Sequence, residues 1–515
     1  MAMENMGNRT EFDRQIPSES TLPGKRKRNR YALMCAIFAS TTSILLGYEQ
    51  SLNGGEALIV IQQHFKLSDF KLETLVGVNN IYIAIGAAVA GRTSDYIGRR
   101  YTMVLAGFIF FVGAFLMGFA TNYVSLMLGK SITGLGTGYA LVVSPVYITE
   151  VSPTSSRGFF TSLPEVFINF GIMLGYLSSF LFSKLPIHLE WLFMVGIGIF
   201  LSMFLVAVVL MIPESPRWLV MQGQIGKAKW VLDKTSDSIE EAERRLAEIK
   251  EANGIPSGYS SYEVTPLQVS TRSNQTTKIW KELFLHPTPS IRHILIATVG
   301  LHVFQQASMI NVIFVYSSTI VKQLGIKSNN HMLLVIILAG FTKTIFILVS
   351  TFLVDRIGRR PLLLTGVAGN MISLIILGFR LTRINHHSEV KLSTYWDIGL
   401  CITMILSYVA FFSIGMGPIT WVYTSEIFPT KLRAQGLSAG VIVNRVTASV
   451  VTMTFLWLSN AITIGGVFYL HAGIAAMSWV FFYLLFPETQ GRNLEDMEGL
   501  FGYVTPFSFF FNSSF

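Results

Sequence analysis

A six-residue pattern occurs twice in this chain, as DYIGRR at Asp95–Arg100 and as DRIGRR at Asp355–Arg360, each time just after a long apolar run. Two further patterns repeat in the same order at a similar distance: VYITE and VYTSE at Val146–Glu150 and Val422–Glu426, and PESPR and PETQGR at Pro213–Arg217 and Pro487–Arg492. Ordered repeats at the ends of apolar runs predict a polytopic membrane protein built from two parallel halves. A ligand site is then expected between the halves, near the middle of the membrane.

The composition supports this interpretation. Of the 515 residues, 51% are hydrophobic and only 13% are charged, and the mean hydropathy is +0.51. A soluble globular protein carries about 25% charged residues. The net charge of +9 comes from basic residues scattered at the ends of the apolar runs, which argues against nucleic-acid binding. Both cysteines, Cys35 and Cys401, lie in apolar runs, which excludes a disulfide framework.

Twelve apolar runs are long enough to cross a membrane as helices, since about 20 residues span its hydrocarbon core. They are Tyr31–Gly54, Leu72–Ala90, Tyr101–Ala120, Val124–Thr149, Thr161–Leu181, Trp191–Met211, Ile291–Tyr316, Met332–Val354, Leu362–Gly378, Ile398–Tyr423, Leu437–Leu458 and Val467–Phe486. The predicted fold class is an all-α membrane protein with two parallel six-helix halves. The predicted domains are an N-terminal tail (1–30), an N-terminal half (31–212), a helical linker (213–290), a C-terminal half (291–486) and a C-terminal tail (487–515).

Lys and Arg are concentrated on one side of the predicted helices, and cytosolic loops carry such an excess. That side holds the segment Lys25–Arg30 and Arg92, Arg99, Arg100, Arg157, Arg356, Arg359, Arg360, Lys431 and Arg433. Lys322, Arg380 and Arg383 on the opposite side weaken the contrast. We therefore expect both termini and the linker in the cytosol.

Motifs distributed over the whole chain resemble those of the sugar porter branch of the major facilitator superfamily. They are Gly91–Asp95, Gly98–Arg100, Pro145–Tyr147, Glu150, Arg157–Gly158, Pro213–Arg217, Gln305–Gln306, Asn311, Asp355, Gly358–Arg360, Gly417–Pro418, Trp421 and Pro487–Thr489. Ser162–Glu165, Asn444–Arg445 and Glu488–Asp496 look most like plant polyol and monosaccharide transporters.

This resemblance implies the major facilitator fold and proton-coupled symport of polyols, cyclitols or monosaccharides by alternating access. It also implies a monomeric, multi-pass plasma-membrane protein. The implied partners are the polyol or sugar substrate, protons and the lipid bilayer. No cofactor, metal or nucleic acid is implied.

Glu49 lies inside the first predicted helix, where an ionisable side chain is costly and indicates function. The resemblance puts a proton-accepting Asp here and its Arg partner in the fourth helix, where this chain has Lys130. Both charges are kept although both residue types differ. The family usually continues with IGVMSGA, whereas this chain reads QSLNGGE at Gln50–Glu56. Glu49 is therefore either the proton acceptor of a transport cycle or half of a structural ion pair with Lys130.

A polyol offers only hydroxyl groups, so its site needs amides and carboxylates as hydrogen-bond partners and an aromatic face for its C–H side. The candidates for these roles, which the resemblance supports, are Glu165, Gln305, Gln306, Asn311, Trp421 and Asn444. Each is alternatively a residue that joins helices by hydrogen bonding, as polar groups in membranes often do. Met309 stands where the family has Gly, which permits local unwinding. The larger side chain predicts a narrower or less mobile site.

Charged residues at the cytosolic helix ends form a second candidate group, a gating network. Its members are Asp95, Arg99, Arg100, Glu150, Arg157, Glu214, Asp355, Arg359, Arg360, Glu426, Arg433 and Glu488. Such residues pair when one side of a transporter is shut and separate when it opens, which biases alternating access. Simple anchoring of the topology explains the basic residues but not the acids.

Two other transport-related functions stay open. An uncoupled facilitator is expected if the residue types at Glu49 and Lys130, or Met309, have disabled coupling. A sugar sensor is the second, against which the short segment after Met497 argues. An enzyme is not expected, because we find no metal-ligand spacing, nucleophile elbow or phosphate loop. Glycine-rich Gly134–Gly138 lies inside an apolar helix, where it permits close packing.

Overall fold

The computed structural model describes residues 29–153, 156–252, 287–316, 320, 329–386, 391–429, 432–490 and 501, and its regular structure over these residues is helical. Helices α1 to α11 are Arg30–Ser40, Ser43–Leu52, Gly55–Phe65, Asp69–Ile97, Arg99–Gly118, Tyr123–Val151, Arg157–Phe182, Ile187–Val209, Pro216–Met221, Ile225–Thr235 and Ile239–Ala252. Helices α12 to α18 are Pro289–Ala307, Ile310–Val315, Asn329–Ile357, Arg359–His386, Lys391–Ile414, Met416–Ile427 and Arg433–Leu485.

Twelve stretches of helix in the described part of the chain are long and apolar enough to cross a membrane, and we number them spans 1 to 12. Spans 2 to 6 are α4 to α8, and spans 8 and 9 are α14 and α15. Three spans are interrupted: span 1 consists of α1 and α2, span 7 of α12 and α13, and span 10 of α16 and α17. Helix α18 contains spans 11 and 12, with a kink at Thr463, whose φ is 67°. The predicted number of spans is confirmed.

Span 7 is broken at Met309, which is fully buried and has a left-handed backbone (φ 78°). The helix is therefore unwound here, although Met stands at the position where the resemblance implies Gly. A non-glycine residue in this conformation is strained and needs its surroundings to hold it. Two neighbours do so: Tyr408 donates a hydrogen bond to the carbonyl of Ser308, and His471 Nδ1 lies 2.8 Å from the carbonyl of Ala307.

Spans 1 to 6 pack chiefly with one another, as do spans 7 to 12, and the two halves meet where span 2 packs on span 11 and span 5 on span 8. Ser449 of span 11 donates a hydrogen bond of 2.9 Å to the carbonyl of Gly77 on span 2. Glycine also allows span 4 to pack closely on span 2, since a Cβ on Gly138 would lie 2.2 Å from the carbonyl oxygen of Ile83 on that span. This agrees with the packing role predicted for Gly134–Gly138.

The described part of the linker forms three short helices, α9 to α11, around a small apolar core of its own. Arg245 of α11 attaches this cluster to the end of span 4, because its guanidinium donates to the carbonyls of Glu150 and Val151 at 3.1 Å. Burial, together with the nearby charge of Arg157, lowers the pKa of Arg245 to about 10. The linker is thus fixed to the helix that carries Lys130 and Glu150.

Candidate functional site

Glu49 and Lys130 form a buried ion pair between spans 1 and 4. Lys130 Nζ lies 2.9 Å from Glu49 Oε1 and 2.8 Å from Asn53 Oδ1, one turn further along span 1. The side chains of Glu49 and Lys130 are 0% and 1% exposed. Glu49 Oε2 has no hydrogen-bond partner. Because a buried carboxylate is costly unless its oxygens are paired, Oε2 is the unsatisfied atom of this ion pair.

A network of four amides occupies the other half of the protein. Asn311 Nδ2 donates to Gln306 Oε1 at 2.6 Å, and Gln306 Nε2 donates to Asn444 Oδ1 at 3.0 Å. Asn444 Nδ2 in turn donates to Gln305 Oε1 at 2.7 Å. The network joins span 7 to span 11 and runs across the break in span 7, since Asn311 lies beyond that break.

The direction of these bonds is set by a backbone carbonyl. Gln305 Nε2 donates to the carbonyl of Met416 at 2.8 Å, beside the interruption of span 10, so Gln305 Oε1 faces Asn444 Nδ2. The second N–H of Asn444 then points at His302 Nδ1, 3.3 Å away, which must accept it. His302 is therefore a neutral imidazole with its proton on Nε2, 3.3 Å from Thr424 Oγ1.

An aromatic side chain and an acid complete this region. Trp421 packs edge-on against His302, with 5.4 Å between ring centroids. A cavity of about 370 Å³ is lined by five of the predicted site residues and by Gln50. The five are Glu165, Gln305, Gln306, Asn311 and Trp421. Asn444 lies behind the two glutamines and is fully buried. The cavity thus combines amide, carboxylate and aromatic surfaces, as recognition of a polyhydroxylated ligand requires.

Two basic residues on the cavity wall, Lys343 and Arg445, were not among the site candidates from sequence. Both interact electrostatically with Glu165. Arg445 Nε and Nη1 are buried without a hydrogen-bond partner, and Lys343 Nζ lies 5.3 Å from the centroid of the Phe314 ring. Their mid-span position in the sequence favours a structural role for both, paired with backbone or acids inside the bundle, whereas the structure places them on the cavity wall.

A second cavity, of about 570 Å³, opens beside the ion pair and includes Glu49 and Asn53 in its wall. Gln50, Asn311 and Lys343 line both cavities. The ion pair and the amide network therefore face adjoining spaces that share wall residues. A change of charge at Glu49 would therefore occur next to the amide-lined cavity.

Comparison with known proteins identifies the family. The model of the family "Sugar (and other) transporter" matches residues 35–501. The chain belongs to this sugar transporter family. It is 55% identical over 484 residues to Polyol transporter 5 of Arabidopsis thaliana, covering 94% of this chain and 88% of the relative. It is 53% identical over 483 residues to Putative polyol transporter 1 of the same plant, covering 94% and 93%.

The solved structure of the proton:xylose symporter XylE with 6-bromo-6-deoxy-D-glucose is similar in fold. Its TM-score is 0.78 at 24% sequence identity, and the match covers 92% of this chain and all of that one. The resemblance to sugar porters and to plant polyol transporters is thus confirmed. The protein is a multi-pass membrane transporter of the major facilitator fold and not an enzyme.

The predicted gating residues of this sugar transporter cluster at one end of the spans, which we call the charged face. In the first half Arg99 lies 3.0 Å from Asp95 and 3.1 Å from Glu150. Glu214 accepts the backbone N–H groups of Arg99 and Arg100 at 2.9 and 3.2 Å. Burial raises the pKa of Glu214, although these backbone hydrogen bonds oppose the shift.

The second half repeats this cluster residue by residue. Arg359 lies 3.0 Å from Asp355 and 2.8 Å from Glu426. Glu488 accepts the backbone N–H groups of Arg359 and Arg360 at 3.0 and 2.9 Å. The repeated sequence patterns therefore encode a repeated structure.

Glycine makes both clusters possible. Gly98 and Gly358 have φ values of 97° and 101°, a region that favours glycine. A Cβ at Gly98 would meet Glu214 Oε2 at 2.4 Å. Two residues after each glycine, an arginine guanidinium donates to a backbone carbonyl. Arg100 donates to the carbonyl of Leu210, and Arg360 donates to the carbonyl of Tyr483 at 2.7 Å.

The two halves are joined at the charged face by their aspartates. Asp95 Oδ2 accepts a hydrogen bond from Gln435 Nε2 at 3.0 Å, and Asp355 Oδ2 accepts the backbone N–H of Phe159 at 2.9 Å. Gln435 and Phe159 lie in the first turns of spans 11 and 5, which begin at Arg433 and Arg157. An acid is stabilised near a helix N-terminus. Neither partner was among the residues proposed from sequence.

Proposed function

We propose that this protein is a proton-coupled symporter of polyols, cyclitols or monosaccharides that works by alternating access in the plasma membrane. The names of its relatives support the substrate class. The observation that carries the coupling is the shared wall between the cavity of the Glu49–Lys130 pair and the amide-lined cavity.

In the proposed cycle, Glu49 takes up a proton at Oε2 from the outer side, which neutralises the carboxylate facing Lys130. Substrate hydroxyls exchange hydrogen bonds with Gln305, Gln306 and Asn311 while Trp421 packs against the C–H face. Asn444 supports the two glutamines, and Glu165 accepts hydroxyl protons across the cavity. Release of substrate and proton follows on the cytosolic side.

The charged face is the proposed cytosolic gate. Its ion pairs and the two aspartate contacts between the halves hold that side shut, and opening requires them to separate. This assignment puts the linker and both termini in the cytosol, with two six-helix halves at 31–212 and 291–486. We expect the transporter to act as a monomer, because each site lies within one chain.

Uptake of labelled sorbitol, xylitol, inositol and glucose in transport-deficient yeast tests the proposal. We expect at least one of them to accumulate above its external concentration, and a protonophore to abolish that accumulation. Equilibration that the protonophore leaves unchanged would instead indicate an uncoupled facilitator. Binding without flux for every compound would indicate a sensor.

A Glu49→Gln variant tests the proton acceptor itself. The amide keeps the size of the side chain but does not titrate, so exchange of labelled for unlabelled substrate should persist while uphill uptake is lost. Normal accumulation by this variant would assign Glu49 to a structural pair.

A further inference from the structure

Asn53 is an uncharged residue that contacts the ion pair directly. It lies in the Gln50–Glu56 segment, where the family is usually apolar, and it is 6% exposed. Its Oδ1 atom is 2.8 Å from Lys130 Nζ, closer than Glu49 Oε1 at 2.9 Å. The same chain has Lys where the family has Arg. A lysine ammonium is a compact charge with three donors, so a second nearby acceptor alters its environment strongly.

We propose that Asn53 is a positioning residue that holds the Lys130 ammonium in place while Glu49 carries a proton. The proposal rests on the symport function above and explains how a Glu–Lys pair sustains coupling. It gives Asn53 no direct role in binding substrate.

Charge balance supports this role. With Glu49 ionised, the pair is neutral overall and Lys130 has a counter-charge. Binding of one proton at Glu49 Oε2 brings the pair to a net charge of +1, and Lys130 then faces only neutral acceptors. The ammonium is charged in both states, but only the protonated state leaves it without an anionic partner, so it then depends most on its hydrogen bond to Asn53. Asn53 Oδ1 therefore stabilises the protonated state more than the ionised state.

The described residues that line this cavity provide no other counter-charge. Glu49 is the one acid among the described residues that line its cavity. The other titratable groups facing that cavity are Lys343 of span 8 and Tyr176 of span 5. Tyr48 precedes Glu49, but its hydroxyl donates to the carbonyl of Met194. None of these supplies negative charge to Lys130 when Glu49 is protonated.

The test compares the pH dependence of uphill uptake in the full-length transporter, with labelled sorbitol as the probe or another of the four compounds if it is carried better. Asn53→Met removes the acceptor at similar size. We expect half-maximal uptake to require a pH lower by about one unit, a tenfold higher proton concentration, because the protonated state has lost its support.

Asn53→Asp should act in the opposite direction. A second carboxylate beside Lys130 repels the charge on Glu49 and favours its protonation, so half-maximal uptake should move to higher pH. Asn80→Met, on the same cavity but bonded to the carbonyl of Val76, is the matched control and should not shift the profile.

Opposite shifts distinguish positioning from general damage to the fold, which lowers the maximal rate without moving the profile. An unchanged half-maximal pH in Asn53→Met, or shifts of the same sign in both variants, would overturn the role of Asn53. If Asn53→Met does not reach the membrane, the direction of the Asn53→Asp shift decides. Proton-independent uptake by the wild type would instead overturn the proposed function, and this role with it.

Discussion

The ion pair of the first half and the amide network of the second half differ in how completely their hydrogen bonds are satisfied. Glu49 keeps one buried oxygen without a partner, whereas Gln305, Gln306 and Asn444 each use both ends of their amides. A satisfied buried network holds one arrangement, and an incompletely satisfied group is free to change its state. The proposed cycle therefore assigns switching to the ion pair and recognition to the amide network.

Removing the cation of the pair should have the largest effect. Lys130→Met leaves the Glu49 carboxylate buried without a counter-charge, and breaking a buried pair in this way costs about 3–5 kcal/mol. We expect a clear fall in the thermal unfolding temperature of the purified transporter in detergent, together with loss of uphill uptake.

The double variant Glu49→Gln with Lys130→Met is the control for that prediction. It removes both charges, so most of the lost stability should return although coupling remains absent. Equal unfolding temperatures for the single and double variants would show that the two charges do not stabilise each other.

Breaking the amide network should act on recognition and leave coupling intact. Asn444→Leu removes the hydrogen bonds to Gln305, Gln306 and His302. Each unpaired group costs about 1–3 kcal/mol, so the KM for substrate should rise by more than about tenfold, while the remaining uptake stays sensitive to a protonophore.

Asn370→Leu is a matched change in the same half. Both amide atoms of Asn370 are buried without hydrogen-bond partners, so Leu leaves no partner unpaired and KM should not change. A similar rise in KM for both variants would indicate that Asn444 acts through packing and not through the network.

The sequence predicted the spans and the charged pairs because long apolar runs and charges within them have strong physical causes. The length of an apolar run decides whether it inserts as a helix, and the charge inside span 1 marked Glu49. Its match to Lys130 came from the resemblance to sugar porters, and the structure pairs the two side chains. The same reasoning missed Asn53 and His302. A neutral polar side chain is less costly in a membrane helix than a charge, so it is a weaker sign of function, and its role depends on neighbours from other spans.

Backbone features were also beyond the sequence. The break at Met309 depends on Tyr408 and His471 from other spans, which contact the carbonyls beside it. The contact from Asp355 reaches the main-chain N–H of Phe159, an interaction that any residue type at position 159 except proline can provide. The repeated pattern revealed the clusters of the charged face but not the contacts that join the two halves.

His302 provides a finer test of the amide network. His302→Asn retains an acceptor near the position of Nδ1 and should keep Asn444 oriented, so KM should stay within about threefold. His302→Gln retains a donor near the position of Nε2 for Thr424 but loses that acceptor, and its KM should rise about fivefold to tenfold. Both lose the ring that packs on Trp421, so an equal KM in the two variants would assign the effect to that packing.

The smallest effect is expected at the charged face, where single hydrogen bonds join the halves. Gln435→Leu removes the hydrogen bond to Asp95, which contributes about 1 kcal/mol to the closed form. The equilibrium between the closed and cytosol-open forms should therefore shift about fivefold toward the open form. Ser438 is buried opposite Gly91. An added Ser438→Cys substitution therefore measures the opening of this face through its rate of reaction with a permeant thiol reagent. Gln490→Leu breaks a bond within one half and should leave the rate unchanged. Equal rates in both variants would show that the Asp95 contact does not hold the halves together.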